Sequence, residues 1–224
     1  MRLSIIVPTL NEADHIRALL RDLAPARQAG HEVVLVDGGS RDGTVALAAE
    51  GADRSIEATR GRAEQMNAGA KAAAGDILWF LHADTRLPAG AHAAVLAACG
   101  AGAVWGRFDV RLSGRPRVLR LVERLMNLRS RLTGIATGDQ GIFVTRVAFE
   151  QAGGFPDIPL MEDIALSTAL RRQCSPACLR IRILTSSRRW EEQGPIRTIL
   201  LMWRLRLAYA LGADPHRLAR RYGY

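Results

Sequence analysis

The chain has 224 residues, 48% of them hydrophobic, so it is long enough for one large domain with a full core. Its three cysteines form no C-x-x-C pair, so neither a disulfide framework nor a zinc site is expected, and a reducing cytoplasm fits. The net charge of +9 comes almost wholly from arginine, which suits phosphate-bearing ligands, anionic lipid or nucleic acid, but equally a solvated arginine-rich surface.

Strand and helix signals alternate through the first hundred residues. Apolar runs predict strands at residues 3–7, 33–36, 54–57 and 77–81. Helical spacing, capping residues or alanine-rich composition predict helices at residues 12–23, 40–49 and 62–74, and a further helix is expected to begin at Pro88. This alternation indicates an α/β fold with a parallel sheet and helices on both faces.

The second half of the chain is more basic and less regular. Its predicted strands cover residues 103–112, 141–145 and 179–184, and its predicted helices cover residues 116–132, 161–172 and 196–211. Because no repeat, linker or low-complexity segment interrupts the chain, we expect a single mixed-sheet domain over residues 1–224. The N-terminal apolar run is predicted to be a strand and not a signal peptide, and no apolar stretch is long enough to cross a bilayer.

Polar residues follow three of the predicted strands. The stretch DILWFLHADTRLP ends a buried strand on His82 and Asp84, while residues 8–12 and 37–40 follow two earlier strands. Right-handed crossovers bring the carboxyl ends of parallel strands to one edge, where open α/β sheets bind ligands. Taken alone, Asp84 is equally explained as a cap of the turn before Pro88.

The first strand-to-helix turn argues against a dinucleotide-binding protein. It reads VPTLNEADHI and contains no glycine, whereas a Rossmann turn needs G-x-G-x-x-G to let a pyrophosphate approach the backbone. The acid after the second strand still suits a single nucleotide. Asp37 could accept hydrogen bonds from a base or ribose, and Gly38 and Gly39 would let the nucleotide lie close to the backbone.

With these features in place, the sequence resembles the family 2 glycosyltransferases, which have the GT-A fold of nucleotide-diphospho-sugar transferases. The resemblance covers nearly the whole chain and is closest to short bacterial members without membrane spans, including a carotenoid-glycosyltransferase-like group. The segments that carry it are SIIVPTLNE (4–12), VLVDGGSRDGT (34–44), GRAEQMNAGAKAAAGDILWFLHADT (61–85), TGDQGIFVTR (137–146), GGFPDIPLMEDIALSTAL (153–170) and SSRRW (186–190).

The resemblance implies that residues 1–100 form a nucleotide-binding half and residues 101–224 an acceptor-side half. The residues that it implies for donor binding are Pro8, Thr9, Asn11, Glu12, Asp37, Gly39, Arg60, Arg62, Asn67, His82, Ala83, Asp84, Arg188 and Arg189. Those that it implies for the acceptor side are Gly138, Asp139, Gln140, Glu162 and Trp190. Asp163 matches the catalytic base.

The resemblance also implies a divalent cofactor, Mn²⁺ or Mg²⁺, bound against the diphosphate of the donor. The family's Asp-x-Asp-type motif has His82 in place of its first acid here, which leaves Asp84 as the expected metal ligand. A hard cation held by one carboxylate can complete its shell with diphosphate oxygens and water. His82 either joins as a ligand, which would favour Mn²⁺, or hydrogen-bonds the sugar or diphosphate.

The implied reaction moves a sugar from a nucleotide-diphospho-sugar, with UDP as the expected nucleotide, to an acceptor hydroxyl with inversion. Cations would offset the charge on the leaving diphosphate, and Asp163 would deprotonate the acceptor. Because His82 replaces an acid, a catalytically idle nucleotide-binding or membrane-surface scaffold stays open. A nucleotidyltransferase is disfavoured, since a glycine-rich, lysine-bearing N-terminal loop is absent, and no nucleic-acid partner is expected.

Two basic segments have amphipathic character. RPRVLRLVERLMNLRSRL places Val118, Leu121, Val122, Leu125 and Leu128 on one stripe, flanked by Arg117, Arg120, Arg124, Arg129 and Arg131. IRTILLMWRLRLAYAL combines Trp203 with Arg204 and Arg206. Such helices can lie on an anionic membrane, which would make the protein peripheral on the inner face of the cell membrane and suit a lipid-like acceptor. Packing on the sheet or in a homodimer is the equal alternative.

Overall fold

A computed structural model describes residues 1–223, apart from the side chains of Arg189 and Gln193. Its strands are β1 Leu3–Thr9, β2 Glu32–Asp37, β3 Arg54–Glu57, β4 Ile77–Phe80, β5 Trp105–Leu112, β6 Phe143–Thr145 and β7 Ala177–Thr185. Its helices are α1 Ala13–Gln28, α2 Thr44–Ala48, α3 Arg62–Ala72, α4 Ala91–Gly100, α5 Arg117–Thr133, α6 Arg146–Gln151, α7 Glu162–Gln173, α8 Arg188–Gln193, α9 Pro195–Ala210 and α10 Pro215–Tyr222. A short 3-10 turn covers Gly138–Gln140.

The seven strands form one sheet in the order β3-β2-β1-β4-β6-β5-β7. The first four are parallel neighbours, β6 runs antiparallel to both β4 and β5, and β7 is parallel to β5. The prediction of a mostly parallel mixed sheet is therefore confirmed. Since β2, β1 and β4 lie side by side, their carboxyl ends share one edge, and Thr9 at the end of β1 pairs with Asp37 at the end of β2.

Both faces of the sheet are covered, as predicted. Alternate residues of β1 point to opposite sides, so Ile5 packs with Leu19 of α1 and Val95 of α4, while Ile6 packs with Met66 of α3. Among residues 1–223, no helix is both long and apolar enough to cross a membrane.

The elements that the sequence did not predict are three short helices. α6 and α8 have six residues each and α10 has eight, which is too short for an apolar period to stand out. The predicted start of α4 at Pro88 was early by three residues, because Gly90 adopts φ 77° immediately before the helix begins.

A group of buried charges joins β5 to α5. Arg107 is fully buried, and its Nη1 donates to the carboxylate of Asp109. Arg131 of α5 donates from Nη2 to the other oxygen of Asp109 at 2.7 Å. Two guanidinium groups therefore depend on one carboxylate, and removing it would leave buried positive charge without a counterion.

We expect Asp109→Ala to lower the free energy of unfolding by about 3–5 kcal/mol, the usual effect of removing one member of a buried ion pair. Urea denaturation measures this. The control is Asp157→Ala, an exposed position where a change within about 0.5 kcal/mol is expected. Equal effects of the two substitutions would contradict the structural role of Asp109.

Candidate functional site

A cavity of about 830 Å³ opens beside the end of β4, between α5, the start of α7 and α9. The polar end of β4 and the acidic start of α7 thus face one space, although about 80 residues separate them in the chain. The predicted residues that line it are Arg62, His82, Asp84, Gly138, Asp139, Glu162, Asp163, Arg188 and Trp190.

Asp84 is equipped to hold a cation. Its Oδ1 is buried and has no hydrogen-bond partner in the described part of the chain. A buried carboxylate oxygen without a partner is costly, and a divalent cation would satisfy it. Among the described residues no group of three or more His, Cys, Asp and Glu side chains could hold a metal ion. At most two such side chains could therefore bind a cation at Asp84, and its remaining ligands would come from substrate or water.

Glu12 and Arg188 stand near Asp84. Burial raises the pKa of Glu12, and the negative charge of Asp84 raises it further, while Arg188 acts in the opposite direction. Glu12 comes from the end of β1, Asp84 from the end of β4, and Arg188 from the start of α8. Asp84 and Arg188, which line the cavity, therefore both interact with Glu12.

His82 interacts with Asp84 and also with the acids Asp139 and Asp163. Burial lowers the pKa of its imidazole and the positive charge of Arg62 lowers it further, against the opposing charges of Asp84, Asp139 and Asp163. A Cβ on Gly138 would lie 2.6 Å from His82 Nε2, so the turn packs directly on the ring. This close packing requires glycine at position 138.

Asp163 is fixed at the start of α7 by backbone hydrogen bonds. Its Oδ2 accepts from the N–H of Gly138 at 2.7 Å, and its Oδ1 accepts from the N–H of Ile164 at 2.7 Å. The preceding Met161 has φ 73°, a left-handed conformation that is costly for a non-glycine residue and is often found at functional sites. Each carboxylate oxygen keeps a lone pair for a further donor.

Glu162, beside Asp163, is only 4% exposed. Burial and the charge of Asp163 raise its pKa to about 7, and Arg62 Nη1, 3.7 Å from Glu162 Oε1, opposes the shift. Near neutral pH Glu162 is therefore partly protonated, whereas an exposed glutamate would be fully ionised.

The carboxylate of Asp37 is occupied by bonds within the chain. It accepts from Thr9 Oγ1 at 3.0 Å, from Gly39 N–H at 2.9 Å, and from the N–H and Oγ of Ser40 at 2.7 and 2.5 Å. Burial alone would raise its pKa, but these hydrogen bonds hold the pKa below its usual value. In this structure Asp37 organises the turn after β2, and its contact with a base stays a prediction.

Three other predicted ligand residues also bond to backbone. Asn67 donates to Phe155 O at 2.8 Å and accepts from Phe155 N–H at 3.0 Å. Gln140 is fully buried and its Oε1 accepts from Thr137 N–H at 3.1 Å. Asn11, with φ 54°, accepts from Arg41 N–H at 2.9 Å. Their ligand contacts stay predictions.

The remaining candidates differ in exposure. Ala83 is buried, Pro8 is half-buried and Arg60 is exposed. Trp190 packs against the small core that Leu119 and Val122 of α5 help to form. The side chain of Arg189 lies outside the described residues.

The sequence did not identify Gln65 as a site residue. It is 4% exposed, and its Nε2 donates to Thr9 O and Val36 O, each at 2.8 Å, which ties the ends of β1 and β2 together. A Cβ on Gly38 would lie 3.1 Å from this amide. The available signal was a lone amide side chain on the buried face of an alanine-rich helix.

Arg129 was expected to flank the apolar stripe of α5, and the structure corrects this. Together with Arg206 of α9 it lines the cavity, and its Nε and Nη2 are buried without hydrogen-bond partners. Its position, three residues after Met126 and seven after Val122, is the helical spacing of the inward face, and that spacing was the missed signal.

Two of the other arginines that were expected to flank the stripe also bind within the protein. Arg120 donates to Leu112 O at 2.7 Å, and Arg131 binds Asp109. Arg117 and Arg124 are exposed, as expected. The members of the apolar stripe also differ in burial. Val122 is buried, whereas Val118, Leu121, Leu125 and Leu128 are exposed.

Comparison with known proteins gives a family match and partial relatives. The model of glycosyl transferase family 2 matches residues 4–149. The glycosyltransferase Rv1514c of Mycobacterium tuberculosis is 35% identical over 126 residues, which are 51% of this chain and 48% of that protein. The chain thus matches about half the length of its curated relatives.

Solved glycosyltransferase structures share the GT-A fold. The mannosyltransferase PcManGT from Pyrobaculum calidifontis, in complex with GDP-Man and Mn²⁺, has a TM-score of 0.66 at 26% identity and covers 92% of this chain and 61% of that one. S. aureus TarS 1-349 with UDP-GlcNAc has a TM-score of 0.67 at 19% identity over 83% of this chain and 58% of that one.

A third structure is glucosyl-3-phosphoglycerate synthase from M. tuberculosis with Mn²⁺, UDP and glucosyl-3-phosphoglycerate. Its TM-score is 0.63 at 18% identity, over 81% of this chain and 70% of that one. Because the family model alone matches more than half of the chain, this protein belongs to glycosyl transferase family 2.

Proposed function

We propose that this protein transfers a sugar from a UDP-sugar to an acceptor hydroxyl with inversion at the anomeric carbon. The observation that carries the proposal is a single cavity lined both by Asp84, with its unpartnered Oδ1, and by Asp163, which backbone hydrogen bonds hold in place. Solved structures of the same fold, in complex with UDP-GlcNAc or with UDP and Mn²⁺, support a UDP-sugar as the donor.

On the donor side, Asp84 would hold Mn²⁺ or Mg²⁺. When bound, such an ion would offset negative charge on the departing nucleoside diphosphate. Arg62 and Arg188 line the same cavity and would bind phosphate oxygens. The burial of His82 favours its neutral form, which can hydrogen-bond the sugar or diphosphate without repelling the ion.

On the acceptor side, Asp163 would act as the base. The acceptor oxygen forms a bond to the anomeric carbon as the bond from that carbon to the diphosphate breaks, and the acceptor proton passes to Asp163. Attack from the face opposite the leaving group inverts the configuration. In this assignment residues 1–100 bind the donor with the help of Arg188, and the rest of residues 101–224 shape the acceptor side, within one domain.

The catalytically idle alternative rests on His82 in place of an acid. It predicts nucleotide binding without turnover. Hydrolysis or transfer of a UDP-sugar in the presence of metal, followed by mass spectrometry, separates the two functions.

We expect Asp84→Asn to reduce kcat/KM for transfer by more than about a hundredfold, since metal stabilisation of a leaving group is worth several kcal/mol. Chelation should abolish transfer by the wild type, and Mn²⁺ or Mg²⁺ should restore it. His82→Ala should be milder if histidine is not a ligand, and the exposed Asp14→Asn is the matched control. Full activity in excess chelator would refute the metal assignment.

Asp163→Asn should lower kcat by roughly 10²- to 10⁴-fold and leave the affinity for UDP unchanged, because a base acts only in the transition state. Steady-state kinetics combined with UDP titration calorimetry measures both quantities. Asparagine keeps one oxygen that can accept from Gly138 N–H and loses the acceptor for Ile164 N–H, so the contact between the 3-10 turn and α7 should be kept. If kcat stays near normal, the base lies elsewhere, with Asp139 the next candidate.

We further propose that the protein docks on an anionic membrane surface. Leu121, Leu125, Leu128 and Leu132 of α5 are 45–77% exposed, and on α9 Leu200, Trp203 and Leu207 are 55–63% exposed. Leu125, Leu128 and Leu132 of α5 and Trp203 of α9 line the cavity, so exposed apolar side chains of both helices lie at its mouth. The exposed Arg117, Arg124 and Arg204 would contact lipid phosphates.

Sedimentation with phosphatidylglycerol vesicles should pellet the protein at low salt, whereas neutral phosphatidylcholine vesicles should not. Replacing both Leu121 and Leu207 by Asp should weaken binding at least about tenfold, since burying one leucine is worth about 1.5–3 kcal/mol. Val45→Asp, at another exposed apolar position, is the control. Failure of the folded, active protein to bind at low salt would exclude docking.

A further inference from the structure

The cavity contains a second cationic group, for which the catalytic assignment has no use. Arg129 of α5 and Arg206 of α9 both line it. Two nitrogens of Arg129, Nε and Nη2, are buried and have no hydrogen-bond partner among the described residues. A buried guanidinium group whose hydrogen bonds are not made destabilises the fold. The presence of such a group in the cavity points to a ligand that accepts the missing hydrogen bonds.

The nearby acids do not satisfy this guanidinium. Asp163 accepts from the backbone of Gly138 and Ile164, and Asp139 accepts from Thr137 Oγ1. Burial and the charge of Arg206 lower the pKa of Arg129 to about 10, which still leaves it charged at neutral pH. The two arginines repel each other, and an anion between them would relieve that repulsion.

The position of this group indicates the acceptor side. The charged residues that act on Arg129 are Arg206, Asp139, Asp163 and Arg107, whereas those that act on Glu12 include Asp84 and Arg188. Arg129 therefore interacts with Asp163, the proposed base. Above it, Leu125, Leu128 and Trp203 form an apolar rim.

We propose that Arg129 and Arg206 bind a phosphate group carried by the acceptor, so that the substrate class is a phosphorylated alcohol whose free hydroxyl faces Asp163. Two guanidinium groups match the nearly double negative charge of a phosphate monoester and can bind its oxygens bidentately. This inference rests on the proposed function, because it places the acceptor beside the proposed base.

The test uses the full chain with its donor site filled. The affinity for UDP in the presence of Mg²⁺ is first measured by calorimetry. The protein saturated with UDP and Mg²⁺ is then titrated with glycerol 3-phosphate, glycerol or glycerate, and tryptophan fluorescence reports binding. We expect glycerol 3-phosphate to bind at least tenfold more tightly than glycerol. Arg129→Met should lower the affinity for glycerol 3-phosphate at least tenfold, which is the effect of one lost charge-assisted hydrogen bond. It should leave the affinity for UDP unchanged.

Arg172→Met is the matched control, because Arg172 is an exposed arginine of α7 that does not line the cavity. It should leave both titrations unchanged. Arg129→Met should also raise the Tm of the ligand-free protein, since it removes a buried charge without partners, and should abolish the Tm increase that glycerol 3-phosphate causes in the wild type. A purely structural role for Arg129 would instead lower the Tm.

The outcomes separate this inference from the proposed function. Tight UDP–Mg²⁺ binding with equal affinities for glycerol 3-phosphate and glycerol overturns the phosphate site and leaves the transferase proposal standing. Tighter binding of glycerate than of glycerol 3-phosphate would show that the site binds a carboxylate and would overturn the assignment of a phosphate. If Arg129→Met weakens UDP tenfold or more, Arg129 belongs to the donor side and the inference is wrong. Absence of UDP binding refutes the proposed function itself.

Discussion

The hydrogen bond from the Gly138 N–H to Asp163 sets the geometry of the whole site. It measures 2.7 Å and joins the 3-10 turn to the first turn of α7. The same glycine lies against His82, with room for no side chain, so the end of β4 is held in the same assembly. A carboxylate held by backbone contacts loses little conformational freedom when substrate arrives, which is what a general base requires.

Buried charges are treated differently inside and outside the cavity. Asp109 is enclosed by Arg107 and Arg131, and Glu32 accepts hydrogen bonds from Ser4 and the backbone of β4's preceding turn, so these groups serve the fold. Arg107 leaves its buried Nε without a partner, but its Nη1 is paired with Asp109, whereas Asp84 and Arg129 line the cavity and keep buried atoms without partners. The protein thus accepts a desolvation cost where a cation and an anion would remove it.

Helix α5 shows how one segment can serve three environments. Val122 is buried in a small core, Leu121 faces solvent, and Arg129 faces the cavity. In sequence these positions read as one apolar stripe with flanking arginines, because the hydrophobic period places residues on a helix face without telling what that face meets. The stripe was therefore predicted correctly as helical, and the choice between a surface face and internal packing, which the sequence left open, differs from one member of the stripe to the next.

The sequence by itself determined the alternation of strands and helices and the meeting of the β1, β2 and β4 ends at one edge, because apolar period and crossover handedness are local or topological properties. The placing of Asp84 and Asp163 in one site came from the resemblance to family 2 glycosyltransferases, and both residues line the cavity. Only the tertiary structure decided which polar side chains stay available to a ligand. Asp37 and Asn67 bond to partners 28 and 88 residues away along the chain, and Arg129 turns inward. Such outcomes depend on which distant backbone groups and charges lie within hydrogen-bonding distance once the core has packed, and no local pattern in the sequence encodes that.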